Sequence, residues 1–436
     1  MRPSLLVTCG SIVLGAAASL AACANSDDPA TPVVPDSGAS VAVDDGGPTD
    51  APDTGATNAV DAGSTKCSDS GWCRTSLPDE ELTLKDIWTV AGHAFAIADS
   101  STLGIKVLEW KDADAQWTYI DDGTQNERGF GTYAGRIWAP SENEVYYGIG
   151  PGYIYHGKRP VAPGMAWSWT RQQLKDNSHP DMVEPLDGYP YYWKLATSYP
   201  ALGVWGTSAT DVYAWFTNTI YHWTSVDGGA PEWVPEYVAD DSSSADEHLF
   251  FLAATGTSPD GVWFSGARAR TSSGCALLVR KVAGRYERIA DGALTSDWSP
   301  CAARPDSLFI GGAEGWLADI QAASPDRIIG IKGARDVVKI SVAPDSYSFV
   351  SAPVPSRITS KPLFSLWVSP ETLWLSAHGV VARADSNDVW DGGAYQISSV
   401  ALNGTPLART ILQVRGTSNA NLWAIGVRHA LHKTTP

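Results

Sequence analysis

The residues best suited to chemistry lie in one aromatic-rich stretch. Between Arg171 and Pro200 stand Asp187, Tyr189, Tyr191, Tyr192, Trp193 and Tyr199. Aromatic rings beside a carboxylate could stack on sugar rings or anchor a protein partner, because they offer large contact area at low entropic cost. Asp187, Tyr189, Tyr191, Tyr192 and Trp193 are therefore the candidate ligand-binding group; the alternative is that the stretch buries its own rings. The sequence contains no Gly-x-Ser-x-Gly, His-Glu-x-x-His, phosphate-loop or dinucleotide signature, so it assigns no catalytic residue, metal ligand or cofactor. A catalytic carboxylate pair stays open, since such pairs meet only in space. His156 and His222 recur at one repeat position, with His432 matching them, which points to packing or hydrogen bonding rather than a metal. The acidic stretches Asp112–Asp114, Asp121-Asp122 and Asp385–Asp391 lack the glycine of a calcium loop and are expected to be solvated hairpin turns.

The chain has 436 residues with a formal charge of −17, which argues against a nucleic-acid partner. Its opening is basic at Arg2, apolar from Leu5, and closes on Leu20-Ala21-Ala22-Cys23. That order describes an export signal over residues 1–22. The Leu-Ala-Ala-Cys run resembles the lipobox of bacterial lipoproteins. The resemblance implies a lipid (palmitate-bearing) anchor at Cys23 and, with Ala24 following, the outer membrane of a Gram-negative bacterium. Residues 24–66 hold eight Asp, one Lys and no aromatic residue. Such a segment cannot bury enough apolar surface to offset its ordering entropy, so residues 23–66 are expected to form a lipidated, disordered tether reaching roughly 35–40 Å. Setting aside Arg2, Lys66 and the tether aspartates leaves a folded part, 67–436, with 29 basic and 40 acidic residues. Four cysteines remain there, and in an exported chain the economical pairing is Cys67 with Cys73 and Cys275 with Cys301, one of three possible.

Tryptophan, at 19 residues, marks a repeat. Val204-Trp205-Gly206-Thr207-Ser208-Ala209-Thr210-Asp211-Val212-Tyr213 is its clearest copy, continuing to Ile220-Tyr221-His222-Trp223 and Trp233. Aligned on Trp205, seven copies fall at 88, 138, 205, 255, 321, 367 and 415. Each reads as four short strands between Ser/Pro/Asp/Asn and Gly turns, the size of one propeller blade. The fold expected is all-β: a β-propeller, with seven four-stranded blades favoured over six or eight. The last copy lacks an outer strand, which Gly71–Leu77 could supply, pairing the two ends and closing the ring. Most tryptophans are then wedges between blades. The copies are further apart around Arg171–Pro200 and around Ala293–Ala318, so these two segments are insertions; the second could be a loop stapled to Cys275.

The Val-Trp-Gly-Thr-Ser-x-x-Asp-Val-Tyr unit is similar to the tandem repeats of bacterial secreted and lipoprotein β-propellers. Ser225-Val226-Asp227-Gly228-Gly229 before Trp233 is close to the Asp-box turn of sialidase-like propellers, one residue too long. These resemblances imply a fold and an address more than an activity. The expectation is a non-enzymatic, membrane-tethered, monomeric propeller binding a protein or glycan. Its rivals are an exported polysaccharide hydrolase or lyase with carboxylates around the central channel, and an envelope assembly scaffold.

Overall fold

The computed structural model describes residues 67–127, 133–162, 164–177, 201–239, 247–270, 273–296, 298–344, 346–402 and 405–435. The alternating segments pair into seven four-stranded antiparallel sheets. Their innermost strands touch in succession and the last touches the first, so the sheets form a seven-bladed β-propeller. Those strands are Thr83–Val90, Ala134–Ser141, Leu202–Ser208, Glu247–Gly256, Leu317–Ser324, Ser365–Val368 and Ile411–Ser418, for blades 1 to 7. All seven tryptophan-aligned positions fall on them.

Closure occurs as the strand count requires. Trp72–Arg74 is the outermost strand of blade 7, pairing Cys73 with His432 on His429–Lys433. A disulfide ties Cys73, within that strand, to Cys67 just before it. Trp72 is fully buried, meets Trp374 of blade 6 edge-on at 6.0 Å, and donates from Nε1 to Ser398 Oγ at 2.9 Å. The Cys275–Cys301 disulfide ties the 291–316 connection to blade 4. Beside it a buried ion cluster forms: Arg268 grips Asp291 through Nε at 3.0 Å and Nη2 at 2.8 Å, and reaches Glu247 at 2.8 Å. Bidentate geometry of this kind offsets the cost of burying the charges.

The recurring histidines have one shared role. His156, His222 and His432 each stack on the aromatic residue across the strand pair, Tyr146, Tyr213 and Trp423, at 4.1, 4.5 and 4.0 Å. Each also meets, through Nε2, the side chain two residues before that aromatic: Glu144 at 2.6 Å, Asp211 at 3.1 Å and Asn421 at 2.8 Å. In blade 3 the cluster extends, with Glu236 taking His222 Nδ1 at 2.9 Å, Lys281 Nζ at 2.6 Å and the Tyr286 hydroxyl at 2.7 Å. Burial resists the Glu236 charge, but these partners outweigh it and hold the carboxyl down at about 2. The acidic stretches divide. Asp112 and Asp114 occupy a hairpin turn, whereas Asp121 is buried, bound to Lys106 Nζ at 2.7 Å and the Val107 N–H at 3.0 Å. The solvated-turn expectation fails there because Asp121 caps a strand edge.

Two stability predictions follow from these contacts. Trp72→Ala should cost about 3–5 kcal/mol in chemical denaturation, the usual range for a buried Trp. Opening the Cys67–Cys73 loop by Cys67→Ala with Cys73→Ala should cost less, about 2–2.5 kcal/mol on loop-closure entropy. The pH dependence has two sources. Burial pushes His429 down to about 4, so its stabilising neutral form is secure above the unfolded value near 6.5 and is lost as pH falls through about 4. Glu236 adds a second decline, from the unfolded value of about 4.3 towards about 2. Unfolding free energy measured against pH should lose the first decline in His429→Gln and the second in Glu236→Gln.

Candidate functional site: the channel mouth

An innermost strand is the edge of its sheet, and one edge of its backbone faces the central channel without a strand partner. Buried N–H groups left unmade cost about 1–3 kcal/mol each, so something must meet them. The residues at the tryptophan-aligned positions, and those two residues earlier, reach forward to the next blade and do so. Asp86 of blade 1 accepts the Ile137 N–H of blade 2 at 3.0 Å. Thr255 of blade 4 accepts the Ala322 N–H of blade 5 at 2.8 Å. Asp319 and Gln321 of blade 5 accept the Leu366 and Val368 N–H groups of blade 6 at 3.1 and 2.7 Å. Ser365 of blade 6 accepts the Val414 N–H of blade 7 at 2.7 Å.

The remaining junctions use rings. Trp138 of blade 2 lies against Gly206 of blade 3, where a Cβ would come within 2.8 Å of the indole. Trp205 lies likewise against Gly256 of blade 4, where a Cβ would stand 3.1 Å from its ring. Glycine follows the aligned position because the incoming indole takes the space of a side chain. Arg415 of blade 7 closes the circuit, its guanidinium 5.1 Å from the Trp88 ring of blade 1. Trp88 in turn is 6.5 Å from Trp138. β-Bulges lie between Leu84 and Asp86, Phe251 and Ala253, Leu317 and Asp319, and Ile411 and Gln413, just before these residues. Such bulges re-aim the side chains that follow them.

Two tiers result. In the lower tier Arg136 spans the channel, 3.5 Å from Asp86 on blade 1 and 3.8 Å from Asp319 on blade 5. Burial raises the Asp319 carboxyl above its ordinary value, opposed by Arg136 and Arg415. The upper tier bounds a cavity of about 340 Å³, walled by Trp88, Trp205, Trp367, Thr255, Gln321 and Arg415. It opens at the end of the channel where innermost strands turn into second strands. Arg415 is the one charged residue in that lining.

The candidate residues chosen from sequence fall elsewhere. Asp187, Tyr189, Tyr191, Tyr192 and Trp193, together with Cys23, lie outside the described residues. The residues flanking the former stretch sit at the opposite end of the ring, where Asp176 accepts from the Thr217 hydroxyl at 2.9 Å and Asn177 donates to the Tyr221 hydroxyl at 3.1 Å. Thr255, Gln321 and Arg415 were visible as the non-tryptophan members of the aligned set. What hid them is that a repeat position had been read as packing, and the channel makes it packing and lining together. Among the described residues no group of three or more His, Cys, Asp or Glu side chains could hold a metal ion.

No family model matches this chain, and no curated protein matches it. Among solved structures it is similar to YCF48 from Cyanidioschyzon merolae, at 12% identity and a TM-score of 0.49 over 84% of this chain and 99% of that one. It is also similar to the β-propeller domain of Cps50 (Swd1) from Myceliophteria thermophila, at 10% identity and a TM-score of 0.45 over 78% and 94%. Nothing about a ligand or partner follows from likenesses at this level.

Proposed function

We propose that this chain is a non-enzymatic binding propeller, tethered to the outer membrane of a Gram-negative bacterium through a lipid on Cys23, that holds a protein or glycan partner. The propeller fold suits a binding or scaffold role. The observation that carries the reading is the channel mouth, an aromatic-walled cavity with one charged side chain among the described residues and the Arg136–Asp319 pair on the tier beneath. Concave sites lined by rings and a few polar groups are the usual form of a ligand site. The rival hydrolase needs carboxylates free to act on substrate. Asp86 and Asp319 do converge on the channel, but each is committed to a backbone N–H of the next blade and to Arg136. That commitment supports binding over hydrolysis.

The test uses the full chain expressed in a Gram-negative host. The wild type should fractionate with the outer membrane, and Cys23→Ser should move to the soluble fraction; a Cys23→Ser protein that stays membrane-bound refutes the anchor. On a glycan array and in pull-downs, Trp88→Ala should lower retention of the partner at least about tenfold if the rings supply the contact, the scale expected for a central aromatic. A parallel Tyr191→Ala, Trp193→Ala variant tests the aromatic group chosen from sequence. Polysaccharide cleavage by the wild type would overturn the non-enzymatic reading.

A further inference from the structure

We infer that the channel mouth binds the carboxylate of a terminal acidic sugar residue, with Arg415 as its ion partner. This deepens the binding role proposed above and rests on it. Arg415 makes no hydrogen bond and no ion pair with any described residue, and its Nε is buried without an acceptor. A guanidinium carries five donors in a fixed fork, so an Arg held this way is costly unless something arrives to accept from it. Asp319 does not fill that role: its oxygens already serve Leu366, Ile320 and Arg136. The Arg415 guanidinium stands over the Trp88 ring, 5.1 Å from its centroid, a cation–π contact that holds the group at the mouth before a ligand binds.

The rest of the lining narrows the class. A single guanidinium and no second cation match a singly charged carboxylate better than a doubly charged phosphate. Trp88, Trp205 and Trp367 offer aromatic surface to the C–H face of a ring, and the hydroxyls of Thr255 and Thr257 can meet its hydroxyl edge. The cavity, about 340 Å³, is small, and Arg136 crosses the channel beneath it. A polymer therefore cannot thread through the ring; a chain end must enter from one side.

The measurement is calorimetric titration of the full-length protein with methyl glucuronide, methyl glucoside and N-acetylalanine, supported by tryptophan fluorescence. Glucuronide should bind, and glucoside should bind at least about tenfold more weakly, the loss expected when a charge-assisted hydrogen bond goes unmade. Arg415→Gln should weaken glucuronide by a similar factor in a protein that stays folded, and Arg415→Lys should retain part of the affinity. If Arg415→Gln fails to fold, the Lys variant carries the test: glucuronide affinity unchanged in it overturns the inference. Equal binding of glucuronide and glucoside, or wild-type affinity in a folded Arg415→Gln protein, overturns it as well. Tighter binding of N-acetylalanine than of glucuronide overturns the sugar assignment. A neutral glycan or a protein captured in a Trp88-dependent way would defeat this inference while leaving the binding role standing.

Discussion

The ring depends on how the inward edge of seven innermost strands is satisfied. Each strand is the open edge of a sheet, and its buried N–H groups need acceptors. A pairing strand cannot be added there, because the blades converge at the axis. The solution is a forward-reaching side chain at each junction, two at the junction of blades 5 and 6: an acceptor for the next blade's N–H, an indole laid on the next blade's glycine or, from blade 7, a guanidinium over the Trp88 ring. Blades 2 and 3 use rings, blades 4 and 5 use Thr, Gln and Asp, and blade 7 uses a guanidinium on the Trp88 ring. Every junction is served from the aligned position or from the one two residues before it, and the ring is completed by Trp72–Arg74 in blade 7.

The candidate site is a by-product of that constraint. Side chains that stitch neighbouring blades also bound the space between them, so the tier that carries stability is the tier that lines the cavity. Its chemistry is uneven around the axis because different blades solve the edge problem differently. Arg415 is the member that stitches least, having a ring beneath it and no acceptor beyond it. Below it Arg136 is engaged between Asp86 and Asp319. One arginine is engaged on both sides and the other is available; they are two residues apart in strand register, on the two blades that flank blade 1.

The outer parts of the blades follow other rules. The histidine stacked on Tyr or Trp, with an acid or amide two residues before that ring, recurs in blades 2, 3 and 7. Its chemistry is tuned by the partner: blade 3 gives His222 two carboxylates that outweigh burial and hold it protonated to higher pH, whereas burial lowers His432, whose Nε2 meets the neutral Asn421, against a weaker pull from Asp112. The 291–316 connection is fixed by a disulfide and by Asp291 inside an arginine cluster, so the longer spacing before blade 5 reflects a pinned loop.

Much of this was legible in the sequence. Seven tryptophan-aligned positions gave the blade count, the missing outer strand in the last copy required Trp72–Arg74 to close the ring, and strand periodicity is a local property that a sequence carries openly. The spacing of His156 and His222 pointed to packing for the same reason. The site was not legible, because convergence at the axis joins residues more than three hundred positions apart, Trp88 and Arg415 among them. From sequence, Trp88 and Trp205 were only blade markers, and the aromatics at 187–193 drew notice for being off the repeat. Nor did sequence show that the Asp121 side chain is buried, since its donors Lys106 and Val107 come from a neighbouring strand. The sequence by itself determined the number, strand content and closure of the blades, which follow from local alternation and turn chemistry. Tertiary structure alone decided which repeated side chains are saturated and which, like Arg415, face open space, because that depends on what the next blade presents to them.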